Sequence, residues 1–267
     1  MKRTPRPLGT LRPALLAVAL LLAATTSSVA AADDGPGPLG VTVPAAATAG
    51  SARVGALFSG GSDSGSGGLD GAHFCTASVV HSAGRNLIVS AAHCLDGGGT
   101  LRFVPGYRDG TAPYGIWEVK KTYAADAWTT GQDEDSDVAF AVVGDVGGKA
   151  LEDVVGGDTF ATGRATGATA VTVTGYPKSL EAPITCTNKP TVQSPTQQRI
   201  DCPAFTGGTS GSPWVNGDGE VVGVIGGFEQ GGNTADISYS VVLGDEAAAL
   251  YRTATAGSCP PTSSASS

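Results

Sequence analysis

Charge is scarce in this chain of 267 residues, and basic charge most of all. Asp, Glu, Lys and Arg make up 15%, well below the roughly one quarter usual in soluble domains. Lys and Arg number 16 against 24 Asp and Glu, which excludes a general affinity for nucleic acid and gives no support to binding of anionic lipid. Histidine is rarer still, with His73, His81 and His93 alone. No two of them stand one helical turn apart, so the paired-histidine helix of zinc proteases is absent, and neither a metal nor another cofactor is expected. Long apolar runs are lacking except at the start. There Lys2, Arg3, Arg6 and Arg12 precede an apolar run over residues 14–24, and Ser28, Val29 and Ala30 follow with small-x-small spacing. That order reads as a signal peptide over 1–30 and a secreted protein. A retained anchor would need about 20 apolar residues, nearly twice the run present, so no stable membrane association is expected. Losing the leader removes four basic residues and no acids, leaving twelve against 24.

What is abundant is glycine, 40 in all. Residues 31–53, rich in Ala, Pro, Gly and Thr, read as a linker or short pro-segment, and residues 59–71 as a Gly/Ser/Asp surface loop. No Lys and no strand-to-helix context follow that loop, which argues against a phosphate cradle. Strand-like segments then recur at 54–58, 76–80, 86–90, 100–104, 117–123, 138–143, 170–175, 199–202, 211–215, 220–225 and 237–241. Turn chemistry separates them, as at Pro105-Gly106 and at the stretch from Asn216 to Gly219. One helix is expected over 244–252, with acids at its start and Arg252 at its end. The reading is all-β with a C-terminal helix, a domain over 54–252 and a flexible tail over 253–267.

Three segments carry chemistry. Residues 207–213 run Gly, Gly, Thr, Ser, Gly, Ser, Pro. Glycines there can expose Ser210 as a nucleophile and turn the N–H groups of Gly208 and Ser210 toward an oxyanion hole. Alone, the segment reads equally as a Gly-Ser turn. At 88–94 an apolar strand runs into a small-residue turn carrying His93, whose ordinary pKa of about 6.5 suits a general base. A histidine capping a strand end would look the same. At 135–143 Asp137 stands just before an apolar strand, where a carboxylate can orient an imidazole. Asp133, Glu134 and Asp135 read as a solvated acidic loop, and their spacing matches no standard Ca²⁺ loop.

Together the three segments stand in the order His, Asp, Ser, and "SAAHC", "SDVAF" and "GGTSGSPW" resemble the signature blocks of the chymotrypsin/trypsin family. The resemblance covers residues 54–252 and looks closest to the secreted bacterial branch near the glutamyl endopeptidases. It implies two six-stranded antiparallel β-barrels and a serine endopeptidase acting on proteins or peptides through His93, Asp137 and Ser210, as a monomer. A secreted protease-like binding protein that no longer cleaves is the alternative. An α/β esterase would place its nucleophile before its acid and histidine, the reverse of the order here.

The resemblance also implies disulfides Cys75–Cys94 and Cys186–Cys202, leaving Cys259 unpaired in the tail. Thr209 stands where animal trypsins carry the Asp that pairs with a new N-terminus, so activation by that route is not expected; Arg53-Val54 is the candidate processing dipeptide. Ala204 falls at the pocket base, with Phe205 beside it. Gly226, Gly227 and Phe228 map to the edge that pairs with substrate backbone, and Ser238 and Tyr239 to the far pocket wall. Ala204 carries no acid for Lys or Arg substrates. Ile225 replaces the histidine of glutamyl endopeptidases. A small or medium apolar residue is the expected preference.

Overall fold

The computed structural model describes residues 39–60, Leu69 and 73–258. The expected leader, the first part of the linker, most of the Gly/Ser loop and Cys259 with its tail lie outside the described residues.

Fifteen strands carry the fold: β1 (Val41–Pro44), β2 (Val54–Ser59), β3 (His73–Val80), β4 (Leu87–Ser90), β5 (Leu101–Pro105), β6 (Trp117–Ala124), β7 (Ala139–Val143), β8 (Thr159–Phe160), β9 (Val171–Gly175), β10 (Ile184–Asn188), β11 (Thr191–Val192), β12 (Gln197–Asp201), β13 (Pro213–Asn216), β14 (Glu220–Val224) and β15 (Ile237–Val241). Helices are short except the last: α1 (Ala49–Ala52), α2 (Ala92–Leu95), α3 (Asp126–Gly131), α4 (Leu151–Val155) and α5 (Asp245–Ser258). No helix among the described residues is long and apolar enough to cross a membrane.

Strands β2 to β7 close into a barrel in the order β2-β3-β4-β7-β6-β5. Leu57, Ala77, Val79, Ile88, Phe103, Trp117 and Ala141 fill it. Its β4 and β7 flank is apolar on the outside too, because Val89 and Phe140 pack against Val221, Val224 and Val241 of the second half and against Ala254 of α5. Burial on both faces explains why 87–89 and 139–143 read as unbroken apolar runs rather than alternating ones. In α5, Tyr251 meets the rings of Phe140 and Phe160 at centroid distances of 5.5 and 5.1 Å.

The second half differs from the expected closed barrel. Its strands form a six-stranded sheet, β1-β10-β9-β13-β14-β8, and a separate three-stranded sheet, β11-β12-β15. Across the seam where a backbone ladder would close a ring, the backbone bond from Gly226 N–H to Tyr239 O at 3.0 Å is joined by side-chain bridges. Val224 N–H donates to Ser240 Oγ at 2.9 Å, and Gln198 Nε2 donates to Val222 O at 3.0 Å. A Cβ on Gly223 would lie 2.9 Å from both Gln198 Nε2 and Ser240 Oγ, so glycine makes room for the bridging groups.

Ordered structure also reaches beyond the stretch expected from composition. Residues 41–53 form β1 and α1, and β1 pairs antiparallel with β10 from Val41↔Thr187 to Pro44↔Ile184. At the other end α5 continues to Ser258, past the expected limit at 252. The seam between the halves, lined by β3, α2 and the loops before β7 and β13, is where the candidate residues gather.

Candidate active site

His93 lies in the first turn of α2, whose leading N–H groups have no partner within the helix. Asp137 supplies one: its Oδ1 accepts from His93 N–H at 3.0 Å, and its Oδ2 bonds His93 Nδ1 at 2.8 Å. The acid therefore grips the histidine by backbone and ring at once. Asp137 follows a 3-10 turn, Glu134–Ser136, capped by Asp133, whose Oδ1 accepts from Asp135 N–H at 3.0 Å. A third donor reaches the same carboxylate from the second half, Gly227 N–H at 2.8 Å from Oδ2. The Asp137 side chain is fully buried, while that of His93 keeps 14% exposure. Gly226 is needed for this approach, since a Cβ there would lie 2.9 Å from Asp137 Oδ2 and 3.0 Å from Asp137 O.

The 207–213 segment docks on the barrel beside this pair. Thr76 N–H donates to Ser210 O at 2.8 Å, and Gly211 N–H donates to Ile225 O at 2.7 Å. Thr76 Oγ1 donates to Gly208 O at 3.0 Å and accepts from Tyr176 N–H at 3.0 Å. Gly208 at φ +100° and Gly211 at φ +84° occupy backbone that favours glycine, and a Cβ on Gly211 would lie 2.0 Å from Thr76 O. Among the described residues, no acceptor meets the N–H of Gly208 or of Ser210, and no partner meets Ser210 Oγ or His93 Nε2.

The Cys75–Cys94 disulfide ties β3 to α2 beside His93. Cys75, His93 and Cys94 present ligand atoms within 4.8 Å of one another, but the joined sulfurs carry no thiolate to bind a metal. Cys186–Cys202 joins β10 to the segment after β12. Thr209 Oγ1 donates to Thr206 O at 2.8 Å, so this hydroxyl is satisfied inside its own turn.

The profile of the trypsin-like peptidase domain matches residues 75–224, more than half of the chain. The chain belongs to the trypsin-like peptidase family. It is a serine endopeptidase, a hydrolase of protein chains. Among solved structures it is similar to protease Anisep from Arthrobacter nicotinovorans, at 29% identity and TM-score 0.67, over 81% of this chain and 100% of that one. It is also similar to the thermostable serine protease AL20 from an extremophilic microorganism, at 25% identity and TM-score 0.66, over 78% and 99%. A Glu endopeptidase, at 17% identity and TM-score 0.63 over 83% and 99%, shares the fold. No curated protein matches by sequence.

In this peptidase a cavity of about 210 Å³ opens beside Ser210. Phe205, Thr206, Ile225, Gln230, Asn233 and Ala235 are among its walls, and no charged side chain lines it. Of the residues expected to bind substrate, Phe205 lines this cavity, while Ala204, Gly226, Gly227, Phe228 and Ser238 do not. Ala204 is exposed at φ +70°, turned away by the chain reversal that aligns Phe205 N–H with Ala235 O at 3.0 Å. Ser238 is buried in β15, opposite Ile200 of β12. Phe228 packs edge-on to Tyr239 at 5.0 Å and opens a 3-10 turn, Phe228–Gly231, in which Glu229 and Gln230 have positive φ. Its N–H donates to Gln197 Oε1 at 3.2 Å. The 230–235 wall has one sequence signal, a run of small polar residues after Gly231 and Gly232. A larger cavity, about 480 Å³ around Arg53 and Asp158, contains none of the residues of this site.

Proposed function

We propose that the chain is an exported endopeptidase that cleaves proteins through an acyl-enzyme, with Ser210 as nucleophile, His93 as general base and Asp137 as the carboxylate that orients it. The double grip of Asp137 on His93 carries this reading. A ring held at Nδ1 keeps Nε2 free to take the Ser210 proton as Oγ attacks the scissile carbonyl. The N–H groups of Gly208 and Ser210, uncommitted among the described residues, suit the oxyanion that forms. His93 then gives its proton to the leaving amine, and water repeats the sequence on the ester. The chemistry draws on side chains and backbone alone. Two disulfides suit an oxidising compartment, in keeping with the leader expected at 1–30.

The cavity beside Ser210 supports a preference for uncharged side chains of small or medium size. A Lys, Arg or Glu placed there would lose water and gain no counter-charge. Mass spectrometry of a digested, denatured protein mixture tests this reading, and dominant cleavage after Lys, Arg or Glu would overturn it. A fluorophosphonate should label the folded wild type and leave Ser210→Ala unlabelled. An adduct that persists in Ser210→Ala, or none on the wild type, sinks the assignment of the nucleophile.

A further inference from the structure

Gln197, the first residue of β12, lies outside the cavity and touches neither His93 nor Ser210, yet its carboxamide is buried and fully engaged. Its Nε2 donates to Glu134 O at 3.1 Å and to Asp135 Oδ1 at 2.7 Å, in the turn that leads directly into Asp137. Its Oε1 accepts from Phe228 N–H at 3.2 Å, one residue after the Gly227 N–H that donates to Asp137 Oδ2. The fit at Gly227 is close: with φ +76°, a Cβ there would lie 2.4 Å from Gln197 Oε1. A second rung runs parallel, Glu229 N–H to Glu134 Oε1 at 3.0 Å.

We propose that Gln197 is a positioning residue, whose carboxamide clamps the Asp137 turn to the 227–228 backbone and so holds the third donor on the Asp137 carboxylate. The inference rests on the triad reading above. A buried amide that uses both ends leaves its partners unsatisfied when either end is lost. Here those partners are the two backbone segments that set the acid's position, and a displacement of about 1 Å near a reacting group can cost about 100-fold in rate.

The test compares fluorophosphonate labelling rates, and the kcat and KM for a labelled casein, across variants whose folding is checked by circular dichroism. Gln197→Ala should lower kcat and the labelling rate about 10- to 100-fold with KM little changed. In an Asp137→Asn background the same substitution should change labelling less than about twofold, because Gln197 acts through Asp137. Equal losses in both backgrounds, or a folded Gln197→Ala that labels at the wild-type rate, would overturn the proposal while leaving the triad intact. Wild type that takes no label would instead overturn the triad reading. Gln197→Glu sets one carboxylate against another at Asp135, and Asp135→Asn in the same chain restores a donor to that contact. Should Gln197→Ala fail to fold, this pair decides. Recovery of most of the lost kcat in the double variant supports the clamp, and no recovery refutes it.

Discussion

A carboxylate shut away from water needs donors, and Asp137 has three: the ring of His93, the His93 N–H and the Gly227 N–H. Replacing it with Asn keeps the volume but sets an amide where two oxygens accept. The expected result is a fall in kcat of about 10⁴-fold with KM little altered, read from initial rates on casein; a loss under tenfold would show that the buried acid is not needed. The proposed triad of His93, Asp137 and Ser210 was readable as a candidate site because each sits in a local pattern, a strand end, a turn or a glycine cluster, that marks its setting. Gln197 was not. Its bonds run to residues 31, 62 and 63 positions away, and the strand-like segment read there begins only at Arg199. The wall at 230–235 was missed because Ala204 and Phe205 are separated by a reversal at positive φ that no periodicity reveals.

Among the elements, the Cys75–Cys94 link between β3 and α2 bears most directly on the site. Cys75→Ser should lower the unfolding free energy by about 2–5 kcal/mol, measured by urea denaturation of the folded protein. Chain in which both cysteines are already reduced should lose nothing further. The strands of the closed barrel were legible because they are apolar and bounded by turns, while their closure into a barrel was an expectation from the family resemblance. The two-sheet second half was not legible, since whether two strands share a full ladder or mostly side-chain bridges depends on Gln198, Gly223 and Ser240 meeting across the seam. β1 escaped notice for another reason: it is four residues long, and on this edge strand Val41 and Val43 face outward, so its short alternation buries no apolar side chain. The Arg53-Val54 bond, a candidate for processing by composition, joins α1 to β2. Arg53 O accepts from Val79 N–H at 2.9 Å, so cutting there requires local opening.

At the scale of the whole molecule, the Arg53–Asp158 pair sits at the junction of the halves, where Asp158 N–H donates to Val79 O and His81 N–H donates to Asp158 O. Burial pushes the Asp158 carboxyl above its ordinary value of 3.8, against the opposing pull of Arg53 and His81. Between the ordinary and the raised value the folded state holds the proton more tightly than the unfolded chain, so this residue's contribution to stability declines as pH rises through that window. Asp158→Asn removes the titration. Relative to wild type, the variant should gain in urea midpoint as pH is raised from about 3 toward neutrality. A difference that stays flat, or runs the other way, would show that the ion pair outweighs burial.

The strand at the front of the described chain also dictates an order of events. Gly40 N–H donates to Asp201 O, Thr42 Oγ1 donates to Pro203 O, 161 residues downstream, and glycine at position 40 leaves room for the Cys186–Cys202 sulfurs. None of these contacts can form until residues 201–203 have been synthesised. A nascent chain that stops short of β10 therefore has no partner for β1, and the segment leading into the cavity wall at Phe205 is fastened only when residues 40–42 meet residues 201–203. Assembly of so non-local a topology is slow.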